Sequence, residues 1–443
     1  MIGCRTPLVV ALLLAGCGAR SGLDVGARPA SDGGTDAGRD AGFDAGPPPP
    51  PPCGEPAAPG TIRWQASDVL VGGAFGVDGN VYATVRGADD AIDLASFDRC
   101  TGALRWQRPA LPTPERRGAV RRPRVRFTDA GDVLAVNGDG YLRLYGVWRY
   151  GLDGEARAPY AIPDSMVGFY AVPTGRGPLV QTYADEVGHT VQMALDGSVA
   201  AIWDDSISPT EECVGSGDVM LCYGGAYRLP DGAPIWTHSS TELVDGTFRH
   251  VVPPATDGRR LYAIVYGISS YWFDAIDRSD GSRIFRVPLM HTTRGQNDLR
   301  LGRPLIDADG SIYVYANGHR DDAPYTGALI AFDRDGAERW RFVADASLQE
   351  FFLHATHVLG DAGLVYLAIG DGVHALDTRD GTEVWALPTE RAVNTPQIAL
   401  GPGGDLLVHT DDDELLVIAT ESTGLAAAPW PAPAGDLRNA NAR

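Results

Sequence analysis

Long apolar runs, helical periodicity and positive charge are all scarce in this chain. Its longest apolar run, PLVVALLLA at 7–15, is too short to span a bilayer as a helix. No later segment repeats its apolar residues at the spacing of an amphipathic helix, which excludes helical bundles and helical solenoids. Acidic residues number 57 against 37 basic ones, and a net charge of −20 argues against nucleic acid as a ligand. Catalytic signatures are missing as well. No Ser-His-Asp set or Gly-rich phosphate loop stands in a suitable context. The acidic run Asp411-Asp412-Asp413-Glu414 does not complete a calcium-loop pattern. His354 and His357 stand three apart in an extended stretch, which puts them on opposite faces and argues against a shared metal.

Arg5 followed by the short apolar run has the charge and length of a secretory signal. The residues LAGC at 14–17 resemble the lipobox of bacterial lipoproteins, which implies cleavage before Cys17 and its acylation. Several acyl chains on one residue would anchor the chain stably to a membrane. A plain signal peptide cut nearby is the alternative. Residues 18–52 hold almost no large apolar side chains and run through TDAGRDAGFDAG into six prolines, Pro47 to Pro52, so they read as a solvated tether. As a flexible coil, 18–46 would span roughly 30 Å, and the proline run adds about 19 Å of stiff spacer. The expected organisation is therefore a signal at 1–16, a lipidated and tethered segment at 17–52, a folded domain at 53–431 and a tail at 432–443.

From residue 60 onward one pattern recurs: glycine, three residues, then an aromatic. It stands at Gly60–Trp64, Gly102–Trp106, Gly232–Trp236, Gly281–Phe285, Gly336–Trp340 and Gly381–Trp385, with looser copies at Gly154–Tyr160, Gly197–Trp203 and Gly424–Trp430. The period is roughly 46 residues, in the range of propeller blades. Upstream of each turn stand further short runs rich in β-branched and aromatic residues, such as GSIYVYA at 310–316 and GALIAFDR at 327–334. Four short strands per repeat, separated by Asp-Gly turns, predict a four-stranded antiparallel unit. In each turn the glycine supplies positive φ and an aspartate such as Asp333 or Asp377 binds nearby amides. Positions two and four beyond the glycine, Leu104 with Trp106 or Glu338 with Trp340, are expected on one face of the outer strand, with the indole against the neighbouring unit.

The stretches AFDRDGAERW, ALDTRDGTEVW and SFDRCTGALRW resemble the tryptophan-docking repeat of the pyrroloquinoline-quinone-like (PQQ-like) β-propellers, over about 60–431. The resemblance implies an all-β propeller. Eight sets of inner strands give eight blades, with TIRW at 61–64 completing the last one; 425–430 is the competing closing segment, and seven blades with one irregular repeat is the alternative count. Quinoprotein alcohol dehydrogenases of this fold commonly carry an adjacent Cys-Cys pair beside the cofactor, and this chain has none. No repeat offers a Glu/Asn/Asp set assignable to a quinone-bound calcium, so the resemblance implies the fold without a PQQ cofactor or metal.

Six cysteines sort by fate. Cys4 leaves with the signal and Cys17 takes lipid. Cys213 and Cys222 flank a hairpin expected about Gly217-Asp218, where they would stand opposite each other and form a disulfide. By elimination Cys53 is left to join Cys100; free buried thiols are the alternative. One basic cluster stands out against the acidic background: Arg116, Arg117, Arg121, Arg122, Arg124 and Arg126, in an expected connection between an outer strand and the next inner strand. It is the candidate interaction patch, for an acidic protein segment or a lipid headgroup; local ion pairing is the alternative.

These observations favour a monomeric, non-catalytic binding or scaffolding module held in the bacterial envelope by lipid, at the outer membrane, with envelope proteins as partners. In anchor, blade number and repeat it is similar to the propeller lipoprotein scaffold of the outer-membrane β-barrel assembly machinery. The competing class is a PQQ-dependent dehydrogenase.

Overall fold

The computed structural model describes residues 53–432 apart from short stretches, the longest being 111–123, 159–171, 206–213, 238–248, 292–301, 319–325 and 344–355. The signal, Cys17, the tether and the tail after 432 lie outside the described residues. The chain divides into two units, Met1–Gly46 and Pro47–Arg443, and every described strand belongs to the second.

The described residues are all-β apart from one short 3-10 turn, Ala88–Asp90, and their strands form eight small antiparallel sheets. The first sheet shows the plan. Val69–Phe75, Val81–Arg86, Ile92–Phe97 and Leu104–Pro109 follow one another as a meander. The second sheet begins at Arg124–Phe127, the third at Val172–Thr174, the fourth at Val214–Ser216 and the sixth at Leu305–Ile306. The fifth has two short inner pieces, Arg249–His250 and Ala255–Thr256, on one edge of Arg260–Tyr266. In the seventh, one long strand, Leu364–Asp377, follows the inner strand Thr356–Gly360 and pairs outward with Glu383–Val393. The Thr378 amide donates to the Gly363 carbonyl at 3.1 Å, so the two halves of that long strand fold back on each other and supply the second and third positions of the plan.

The eighth sheet is built from both chain ends. Ile398–Leu400, Asp405–His409 and Leu415–Ala419 are joined at the outer edge by Ile62–Ala66, in the register Ala66↔Leu415 to Ile62↔Ile418. TIRW thus completes the last sheet. The competing segment goes elsewhere: after Ala419 the chain turns inward, and Ala426 donates to Leu359 O at 3.0 Å while Leu359 donates to Pro431 O at 2.7 Å. Leu425, Ala426 and Pro431 therefore lie along the free edge of the seventh sheet's inner strand.

Neighbouring sheets pack face to face through apolar residues. The eighth touches the first and the seventh through inner strands, and one continuous core joins the fourth, fifth, sixth and seventh. Second strands are deeply buried in the first and sixth sheets, where Val81, Tyr82 and Ala83, and Ile312 to Ala316, have no solvent exposure. Strands covered on both sides read as continuous apolar runs, which is why GSIYVYA lacks clean alternation.

Before each docking aromatic the outer strand carries a β-bulge: the register shifts between Ile62 and Trp64, and opposite Ser96/Phe97, Ala226/Tyr227, Ala275/Ile276, Ala331/Phe332 and Ala375/Leu376. The extra residue breaks the period of two. Leu104 is consequently 54% exposed while Trp106 is 8% exposed, which corrects the expectation that they share a face.

Candidate functional site

In a meander the turn after the first strand and the turn after the third share one end of the sheet. At this end the turns are tight and organised by aspartate. Asp333 Oδ1 accepts from the amides of Asp335 at 2.9 Å and Ala337 at 2.8 Å, with Gly336 at φ +91°. Asp377 accepts from the Arg379 amide at 2.8 Å, and the Arg379 guanidinium and amide hold its carboxyl down at about 2.

Five docking aromatics cover a glycine of the next sheet. Trp64 lies on Gly102, Trp106 on Gly154, Phe285 on Gly336, Trp340 on Gly381 and Trp385 on Gly60; any added Cβ there would meet the ring at 3.3 Å or less. The indole N–H groups donate to a carbonyl in the same turn: Trp64 to Arg99 at 2.7 Å, Trp106 to Leu152 at 2.9 Å, Trp236 to Arg278 at 2.7 Å and Trp340 to Thr378 at 3.0 Å. Two positions use substitutes. Phe285 has no N–H, and there the Arg260 guanidinium donates to the Arg334 carbonyl of the neighbouring turn. At the ring closure Gly60 comes from a separate stretch of chain, and Trp385 donates instead to the Glu421 carboxylate at 3.0 Å. Arg260→Ala is expected to lower stability by about 1–2 kcal/mol in urea melts, and Phe285→Trp to restore part of it by supplying the missing donor.

A second member of this layer has a simple sequence signal, the tyrosine of GNVY, RRLY, GSIY and GLVY. Tyr82, Tyr262, Tyr313 and Tyr366 are buried on second strands and lie against their own sheet's docking aromatic, with centroids 5.8, 6.5, 5.7 and 5.9 Å away. Tyr82 and Tyr313 hydroxyls reach the same carbonyls as Trp106 and Trp340, both at 3.3 Å. Burial raises these phenols, Tyr262 to about 12, so they stay protonated and can donate.

Around the closing strand a buried polar group gathers. Arg63 Nε pairs with Asp405 at 2.6 Å, Arg99 Nε stands 4.0 Å from the same carboxylate, and Arg99 also donates to the Pro402 carbonyl. Cys53 is disulfide-bonded to Cys100, the residue after Arg99. Asp405 is 1% exposed, and burial raises its carboxyl against the pull of the two guanidiniums. Nothing in the local sequence announces Arg63, Arg99 and Asp405, which come from opposite ends of the chain and meet only because the ring closes.

Of the arginine cluster, Arg116, Arg117, Arg121 and Arg122 lie outside the described residues. Arg124 and Arg126 do not belong to a connection. They are in the inner strand Arg124–Phe127, paired Arg124↔Val136 and Arg126↔Leu134, because the buried Val125 and Phe127 alternate with them. The flanking strand ends, Pro109 and Arg124, lie at the end opposite the tight turns. Val214–Ser216 and Val219–Cys222 pair as the hairpin expected about Gly217-Asp218, but Cys213 lies outside the described residues. So does His354. His357 is buried, with Nε2 3.2 Å from the Tyr313 carbonyl. Among the described residues no three His, Cys, Asp or Glu side chains are grouped to hold a metal ion.

The recurrent docking of an outer-strand aromatic on the next turn glycine, sheet after sheet, is what decides the relationship. The chain has the fold of a PQQ-like β-propeller and is similar to BamB. The family model described as "Outer membrane protein assembly factor BamB" matches residues 223–401 and 325–427. Among solved structures, BamB from Moraxella catarrhalis is 16% identical with a TM-score of 0.52, over 82% of this chain and 98% of that one. Quinohemoprotein alcohol dehydrogenase from Comamonas testosteroni is 10% identical with a TM-score of 0.56, over 85% of this chain and 79% of that one. The Dos1 propeller is 9% identical with a TM-score of 0.57, over 82% of this chain and 96% of that one. No curated protein matches the chain. At these identities the structural likeness speaks for the fold.

Proposed function

We propose that this PQQ-like propeller has eight blades and is a non-catalytic lipoprotein of the bacterial envelope, a scaffold that binds other envelope proteins. The observation that carries the reading is the match to BamB, by family model and over 98% of the length of the Moraxella chain, set beside the LAGC sequence and the Pro-rich segment that precede the propeller. Eight sheets among the described residues, with Ile62–Ala66 completing the last, support the blade count. Lipid on Cys17 places the propeller at a membrane, here read as the outer membrane, with the chain monomeric and the arginine cluster at 116–126 as its contact for an acidic protein segment.

A PQQ-dependent dehydrogenase is the second reading, favoured by the likeness to the Comamonas enzyme. The residues do not fit the cofactor: the sequence has no adjacent cysteine pair, and the described residues hold no acidic group arranged for the accompanying ion. No catalytic step is derived for it.

Crosslinking in cells followed by pull-down from membranes tests the scaffold. Wild type should capture a discrete envelope protein, and a variant with Arg116, Arg117, Arg121, Arg122, Arg124 and Arg126 changed to serine should lose it. Capture by neither removes support from the scaffold. Robust dye reduction by purified protein given PQQ, calcium and an alcohol or sugar would establish the dehydrogenase instead.

A further inference from the structure

The closing strand Ile62–Ala66 hydrogen-bonds to the eighth sheet, yet both of its covalent connections lead to the first. On its C-terminal side Val69 begins the first sheet's inner strand. On its N-terminal side Cys53 is bonded to Cys100, in the turn between that sheet's third and fourth strands. Residues 53–100 thus form one covalent loop that carries the closing strand and three strands of the first sheet. A strand held at both ends cannot be peeled residue by residue. Held only through Val69, it can fray from its free end.

The same seam holds the ion pairs. Arg63 comes from the closing strand, Arg99 from the residue beside Cys100, and Asp405 from the eighth sheet. Gly60 N–H to Ala419 O at 2.9 Å, and Ala419 N–H to Thr61 O at 2.9 Å, stand at the end of the strand nearer Cys53. These bonds would be the first lost in fraying. Cys53 also directly follows the proline run, so it is the point where the preceding segment enters the fold.

We propose that the Cys53–Cys100 disulfide is a redox-controlled latch on the propeller ring. Oxidised, it pins the closing strand at both ends and passes a pull arriving through Pro47–Pro52 into the first sheet. Reduced, it releases the strand's N-terminal end, and the eighth sheet becomes the first part of the ring to open. The switch requires two electrons and two protons from a dithiol: its thiolate attacks one sulfur, the S–S bond breaks, Cys53 and Cys100 leave as thiols, and the dithiol closes to its own disulfide. The transmission of force rests on the proposed lipid tether, whereas the latch does not.

Hydrogen–deuterium exchange of the full chain tests it, read by mass spectrometry on peptides spanning 58–68 and 413–421, in oxidised protein, in dithiothreitol-treated protein and in Cys53→Ser. Exchange in both peptides should rise by on the order of 10²-fold on reduction and in the variant, because loop closure no longer holds the strand in place. A peptide spanning 310–343 should not change. Equal protection in all three states overturns the latch. So does a rise with dithiothreitol that is absent from Cys53→Ser, which would assign the effect to Cys213 and Cys222. Should Cys53→Ser fail to fold, reduction of the already folded wild type decides alone. Absence of lipid on Cys17, measured by mass on the membrane fraction, would remove the tether without altering the exchange result.

Discussion

Trp340→Ala is expected to destabilise the propeller by about 3–5 kcal/mol, read as a fall in urea or thermal midpoint. Three losses add. The indole covers Gly381 closely enough that an added Cβ would sit 2.5 Å from its Cε3, so truncation opens a gap between the sixth and seventh sheets. It packs against Tyr313 at 5.7 Å. Its N–H donates to Thr378 O at 3.0 Å, which would keep only the Tyr313 hydroxyl at 3.3 Å. Burying an indole of 150–250 Å² is worth up to about 4–6 kcal/mol, an upper bound of the same size. Trp340→Phe separates these contributions, since it retains a ring over the glycine and removes the donor; it should cost about 1–2 kcal/mol. Gly381→Ala should destabilise from the other side of the contact, by steric conflict with the ring and by its φ of +74°. A midpoint unchanged in Trp340→Ala would contradict the docking layer.

Acid should weaken the fold through His357. Burial depresses its imidazole to about 4, and the Tyr313 carbonyl 3.2 Å from Nε2 requires that nitrogen to carry the proton of the neutral ring. An added Cβ on Gly302 would lie 2.8 Å from Cε1 and 3.0 Å from Nδ1, so the second nitrogen faces packed chain. The unfolded chain, with an ordinary histidine near 6.5, takes up a proton first as pH falls. Stability from this group is therefore full above about pH 6.5, declines between there and pH 4, and is lost below, for a total of about 3 kcal/mol. Asp377, held at about 2, acts in the same direction but in a lower window. Urea midpoints measured from pH 7.5 to 4.5 should slope downward in wild type, and the slope should be shallower in His357→Leu. Equal slopes would remove His357 as the cause.

The repeat was legible because its chemistry is local. A glycine at positive φ, an aspartate capping the turn and an aromatic four positions on all lie within one hairpin, and the indole's need for a surface fixes where it goes. The tyrosine of the second strand was equally local and is visible in four repeats once its ring partner is known. The bulge before each aromatic was not legible, because a register shift depends on the partner strand and leaves no mark in the outer strand's own residues. Arg124 and Arg126 looked like part of a loop because charge suggested exposure, whereas Val125 and Phe127 between them set the strand.

The β-sheet class, the period of the repeat and an aromatic facing the neighbouring unit from each outer strand were readable from the chain alone, since these are written in residues a few positions apart; TIRW was favoured over 425–430 for completing the last sheet, and the register Ala66↔Leu415 to Ile62↔Ile418 bears that out. Only the tertiary structure decided which side chains meet at the closure. Arg63 comes from the closing strand, Arg99 from a turn of the first sheet and Asp405 from the last sheet, and nothing local pairs them, whereas the Cys53–Cys100 bond was expected from the cysteine count. Arg260 and Glu421 take up hydrogen bonds that the repeat leaves unmade at Phe285 and Gly60. Such pairings depend on where a closed ring brings its ends, and no local pattern encodes that distance.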